Sequence, residues 1–86
     1  MLVCNGDIKY KCTKPKTKNN GASTTVLFTV VDAVSHEDIM KLFANDSFYI
    51  YDAFLDERLF DANGKRISFF RITYNDDLGY EVKIKY

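Results

Sequence analysis

Eighty-six residues, 47% of them hydrophobic, with six Tyr, seven Phe and no Trp, describe one small folded domain spanning residues 1–86. That size and composition exclude a two-domain enzyme and a disordered chain. Twelve basic and twelve acidic side chains cancel to zero net charge, which removes the overall positive field expected of a nucleic-acid-binding domain.

The opening stretch LVCNGDIKYKC reads as a β-hairpin, with strands over residues 1–4 and 7–13 about an Asn5-Gly6 turn. In that register Ile8, Tyr10 and Cys12 share one face and Cys4 takes the other. The two sulfurs then point apart, so free thiols and a reducing compartment are expected. A charge arrives within the first seven residues, so the start does not read as a secretory signal, and no stretch approaches the ~20 apolar residues of a spanning helix. Residues 14–23, KPKTKNNGAS, read as an exposed basic loop with the only Pro and a second Asn-Gly. TTVLFTVV (residues 24–31) is apolar at nearly every position and predicts a central strand covered on both faces.

VSHEDIMKLF (residues 34–43) follows with a helix-start pattern. Ser35 and Asp38 fit a capping box, and Val34 and Ile39 fit the accompanying hydrophobic staple. Glu37 and Asp38 complement the helix dipole. Ile39, Met40, Leu42 and Phe43 form the predicted buried stripe, and Asn45 is the expected left-handed stop. Strands are predicted over residues 47–55, 58–60 and 65–74, with an Asn63-Gly64 turn before the last. In that strand Phe70, Ile72 and Tyr74 are expected to face the core, and Ile67, Phe69 and Arg71 the other side. GYEVKIKY closes the chain, with Tyr80, Val82, Ile84 and Tyr86 inward and Glu81, Lys83 and Lys85 outward. The expected fold is α+β: a mostly antiparallel curved sheet or small barrel of about six to seven short strands with one short helix.

The chemistry-bearing candidates are few. His36 beside Glu37 and Asp38 lacks the second His at i+4 of a zinc helix, and Cys4 and Cys12 lack a third ligand at metal spacing. DANGKRISFFRI fails as a calcium loop, since its Gly falls at the fourth position and no acid closes the twelfth. KRISFFRITY interleaves cations with aromatics as single-strand binders do, but it does not match the RNP1 pattern. No catalytic residue, cofactor or metal is expected, and nucleic acid is not the expected partner.

Charge is segregated along the chain. Residues 1–18 hold five Lys against Asp7, residues 32–61 hold eight acids against Lys41 and Arg58, and residues 62–86 hold five bases against three acids. Blocks of this kind steer protein partners or order identical copies head to tail. The expected contact residues are Lys14, Lys16 and Lys18 in the basic segment, and Asp52, Asp56, Glu57 and Asp61 in the acidic one.

The strand–turn–strand VCNGDIKYKC, the Ser-capped helix SHEDIMKLF and the final alternating strand GYEVKIKY together resemble, in layout, small proteins of tailed bacteriophages and prophages. The resemblance implies a non-catalytic virion or tail-assembly subunit, found in the host cytoplasm or the particle, with protein partners that can include its own copies. Phage proteins of this length also include inhibitors of bacterial defence systems, such as anti-CRISPR proteins, which implies as the alternative a binder of a host protein through the acidic segment 46–61.

Overall fold

Four antiparallel hairpins alternate between two sheets in a computed structural model that describes residues 1–33 and 35–86. The strands are β1 (Leu2–Asn5), β2 (Ile8–Lys11), β3 (Lys16–Asn19), β4 (Thr24–Val30), β5 (Tyr49–Asp52), β6 (Glu57–Asp61), β7 (Phe69–Asn75) and β8 (Gly79–Lys85), and the helix α1 is His36–Leu42. Hairpins β1–β2 and β5–β6 join through β1 and β5 into sheet A, of order β2-β1-β5-β6. Hairpins β3–β4 and β7–β8 join through β4 and β8 into sheet B, of order β3-β4-β8-β7. The expected class holds as α+β with mostly antiparallel sheets. The strand number is corrected to eight, and the two sheets do not close into a barrel.

The core lies between the inner faces of the sheets and the helix. Val3, Ile50 and Phe60 from sheet A meet Val26, Phe28, Val30, Val82 and Ile84 from sheet B, with Ile39 and Leu42 from α1 and Phe48, the residue just before β5. Each fully buried aliphatic or Phe side chain here contributes roughly 1.5–3 kcal/mol. Phe43 knits the elements together: its ring centroid lies 4.9 Å from Phe48 and 5.1 Å from Phe70 in edge-on geometry. The alternation read in GYEVKIKY is observed, with Tyr80, Val82 and Ile84 buried and Tyr86 packed at the rim of the core.

Two local structures differ instructively from the sequence expectation. The first turn is Gly6-Asp7, because Asn5 pairs with Ile8 and Cys4 with Lys9. Gly6 takes φ +60 while Asp7 stays at negative φ, the pattern of a type II′ turn with Gly at its first central position. Asn5 is thereby released from turn duty, and its amide donates to the Leu42 carbonyl at 2.8 Å and to Asn45 Oδ1 at 3.1 Å, tying the hairpin to the open end of the helix. The two-residue slip preserves side-chain parity. Cys12 therefore enters the core, Cys4 lies on the opposite face, and both thiols are free.

The second difference is β3. Its sequence KTKN has no apolar residue and every position is exposed, yet it pairs with Leu27 to Thr24 of β4. The chain just before it also runs along β4: Thr13 donates its N–H to the Thr29 carbonyl at 2.9 Å, and Val31 donates to the Lys11 carbonyl at 2.9 Å. Residues 11–13 and 16–19 thus cover one side of β4, with Pro15 at the break between them. Backbone pairing on an open strand, rather than burial, makes this an edge strand, and its lysines discourage further pairing there. The outer side of β4, expected to be covered, is half-exposed at Thr25, Leu27 and Thr29.

The capping box at Ser35 is present in both directions, with Asp38 N–H donating to Ser35 Oγ at 3.3 Å and Ser35 N–H donating to Asp38 Oδ2 at 3.1 Å. Val34, and with it the proposed staple, falls outside the described residues. The helix is shorter than expected and is capped at Phe43 with φ −106, not by a left-handed Asn45. Met40 points outward and is 57% exposed. The strand expected over residues 47–55 is confined to β5, because Asp52 Oδ1 accepts from the Phe54 and Leu55 N–H groups and turns the chain. The strand expected over residues 65–74 begins only at Phe69, and Ile67, expected outward, packs against the core.

Candidate interaction surfaces

The outer face of sheet B is built by register. Lys18 lies opposite Thr25, Thr25 opposite Lys85, and Lys85 opposite Phe69. The next row runs Lys16, Leu27, Lys83, Arg71, and the third runs Thr29, Glu81, Thr73. Neighbouring strands are separated by ~4.8 Å, so five cations share one small face whose only acid is Glu81. The Lys83–Arg71 pair sets two like charges directly opposite each other, an arrangement that works against sheet stability. Lys14 borders the same face from the break before β3.

Two shallow depressions mark this surface. One, of ≈ 320 Å³, is lined among others by Lys16, Lys18, Thr25, Leu27, Arg71 and Lys83. The other, of ≈ 270 Å³, shares Lys16, Leu27 and Glu81 with it and adds Thr13, Lys14, Thr29 and Leu78. Together they form a trough with an apolar and threonine floor and a cationic rim. Small-molecule sites enclose their ligand, so these open, shallow depressions suit one or two docked side chains better than a metabolite.

The two ion pairs among the described residues lie elsewhere, Lys41–Glu37 at 3.3 Å on the helix and Arg58–Asp61 at 2.8 Å on β6. The cations of the trough rim are therefore without an ion-pair partner among the described residues. Lys85 has one attractive contact there, its ammonium lying 5.7 Å from the Phe69 ring centroid.

The acidic candidates gather on the other sheet, at the β5–β6 hairpin. Asp52 is engaged in the turn, and the Tyr51 hydroxyl donates to the Asp56 carboxylate, which raises the Tyr51 pKa. Asp56 itself takes φ 53. Glu57 is exposed at the start of β6. Asp61 is held below the usual carboxylate range, chiefly by its hydrogen bond from Arg58. At the tip between these acids stand Phe54, 96% exposed, and Leu55, 58% exposed.

Lys14, Lys16 and Lys18 are thus brought together with one another but not with Asp52, Asp56, Glu57 and Asp61. Sequence reasoning missed Arg71, Lys83 and Lys85 as members of the basic face and Phe54 as the apolar member of the acidic one. The outward alternation of Lys83 and Lys85 was visible, but nothing in the sequence aligned those lysines with β3. Among the described residues, no three His, Cys, Asp or Glu side chains are grouped so as to share a metal ion. His36 lies exposed at the helix start with its ring 6.3 Å from that of Tyr80. No helix among the described residues is long and apolar enough to cross a membrane. Neither a protein family, nor a curated protein, nor a solved structure matches the chain.

Proposed function

We propose that this chain is a non-catalytic protein–protein interaction and assembly module, of the kind that small structural subunits of tailed phages and prophages provide in the host cytoplasm or the particle. The phage assignment rests on the resemblance in sequence layout of VCNGDIKYKC, SHEDIMKLF and GYEVKIKY alone. The observation that carries the interaction reading is the outer face of sheet B, where five cations stand in register around Leu27 with Glu81 as the one acid in those rows and with no ion-pair partner among the described residues. Uncompensated like charges cost stability in the isolated chain, so their arrangement is understood best as a surface completed by an acidic protein partner. The inhibitor reading has the acidic β5–β6 hairpin in its favour, but ranks second because Asp61 is already neutralised by Arg58.

Sedimentation velocity at low and high salt tests the reading. Attraction between complementary charged faces is screened within ~30 Å at 0.01 M and within ~3 Å at 1 M ionic strength. An assembly module sediments above its 10.0 kDa monomer mass at low salt and returns to it at high salt. A monomer under both conditions, up to the solubility limit, would remove the support for assembly.

A further inference from the structure

The proposed assembly leaves open what fills the basic trough, and the β5–β6 tip has the complementary chemistry. Phe54 is the most exposed of the large hydrophobic side chains, at 96%, and Leu55 beside it is 58% exposed. Asp52, Asp56 and Glu57 surround this apolar pair. The trough largely inverts the pattern, with Leu27 on the floor and Lys16, Lys18, Lys83 and Arg71 around it against a single acid, Glu81. Its ≈ 320 Å³ is of side-chain scale.

The tip is also pre-shaped. Asp52 Oδ1 accepts from the N–H groups of Phe54 at 2.9 Å and Leu55 at 3.2 Å, and the Tyr51 hydroxyl holds the Asp56 carboxylate. A loop fixed by its own hydrogen bonds loses less freedom when it docks. Net charge of zero fits the same picture, because a chain carrying equal and separated charges attracts its own copies in a fixed orientation.

We infer that the occupant of the trough is the β5–β6 tip of a second copy of this chain, with Phe54 and Leu55 seated on Leu27 and their flanking acids set against Lys16, Lys83 and Arg71. This rests on the assembly reading above and adds the contact that performs it. The interface joins two different patches, so copies add head to tail and close into a ring or extend as a filament, unless two copies exchange tips reciprocally.

The test uses two variants, each defective in one half of the contact. Phe54→Ala removes the knob, and because that side chain touches solvent almost everywhere the fold is preserved. Lys16→Glu/Lys83→Glu reverses the rim while leaving the inner face of sheet B intact. Each variant alone should associate roughly 10- to 100-fold more weakly than the wild type, the scale set by burying one large apolar side chain. Mixed in equal amounts, the two should form a 1:1 heterodimer through the intact rim of one and the intact tip of the other. A Phe54→Ala chain that associates like the wild type, or a mixture that remains monomeric while the wild type associates, overturns the tip as occupant and leaves the assembly reading standing. A wild-type chain that stays monomeric removes both. If that monomer binds a short oligothymidylate and Lys16→Glu/Lys83→Glu abolishes the binding, a nucleic-acid strand is the occupant and the inference fails.

Discussion

The outer faces of the two sheets begin with similar material, and they handle it differently. On sheet A, Arg58 bonds Asp61 at 2.8 Å and lies 3.7 Å above the Tyr49 ring. Cys4, opposite Tyr49 and Lys9 on that outer face, is only 2% exposed. The corresponding centre of sheet B, Leu27, is half-exposed, and the cations around it have no ion-pair partner among the described residues. Sheet A thus roofs its outer face with its own side chains, whereas sheet B keeps its outer face open. A partner therefore gains most on sheet B, where docking supplies counter-charges to five clustered cations that the fold leaves without ion-pair partners among the described residues.

The largest effect comes from breaking the register on which the open face depends. Gly79 follows the three-residue turn of the β7–β8 hairpin with φ +104, and a Cβ at that position would lie 2.3 Å from the Val30 carbonyl oxygen. Gly79→Ala therefore meets both backbone strain and a clash with a central strand. Urea denaturation should show a loss of about 3 kcal/mol or more. A loss below about 1 kcal/mol would mean that β4 and β8 can shift without harm.

Next comes the roof of sheet A. Arg58→Ala should lower the denaturation midpoint and speed alkylation of Cys4 by roughly tenfold through local opening. Cys12, whose pKa burial pushes up to about 11, is the internal control and should stay unreactive. The Arg58–Asp61 contribution also has a pH signature. Asp61 has a lowered pKa in the folded chain, so its stabilisation is present above the ordinary carboxylate pKa of 3.8 and is lost as pH falls through the lowered value. Asp61→Asn should flatten that small acid-side dependence. If Arg58→Ala leaves Cys4 labelling unchanged, the roof is made by other groups.

The smallest effect has the opposite sign and is the sharpest contrast. Lys83→Met removes one of two like charges that face each other on sheet B, so it should raise monomer stability by about 0.2–1 kcal/mol in chemical denaturation. The same variant should weaken association. A substitution that helps the isolated fold while harming assembly marks a functional cation, and a fall in both would mark Lys83 as structural.

Elements with an apolar period were legible in the sequence. β8 declared its inner face through Tyr80, Val82 and Ile84, and the helix start declared itself through Ser35 and Asp38. β3 was not legible, because KTKN offers no buried side chain and owes its conformation to the open side of β4, which a local reading cannot see. Its one visible signal was Asn20-Gly21 directly before a strong strand. There Asn20 N–H donates to the Ser23 carbonyl at 2.9 Å and Gly21 N–H donates to Asn19 Oδ1 at 2.8 Å. The first hairpin was misregistered for a different reason: Asn-Gly is the strongest local turn signal, but Asn5 had a distant partner in the helix end. The basic face needed both facts, since only the pairing of β3 with β4 brings Lys16 and Lys18 alongside Lys83 and Lys85. Half of the candidate surface could be listed from the sequence, and its assembly into one face required the sheet.

Backbone amide shifts followed by NMR through a dilution series at low salt test the central claim most directly, because every residue reports on its own face. The account predicts concentration-dependent shifts in β3, around Leu27 and Lys83, and at residues 52–57, with the outer face of sheet A around Lys9, Cys4 and Tyr49 unmoved. Shifts centred on Lys9, Cys4 and Tyr49, or none anywhere across the series, would contradict it.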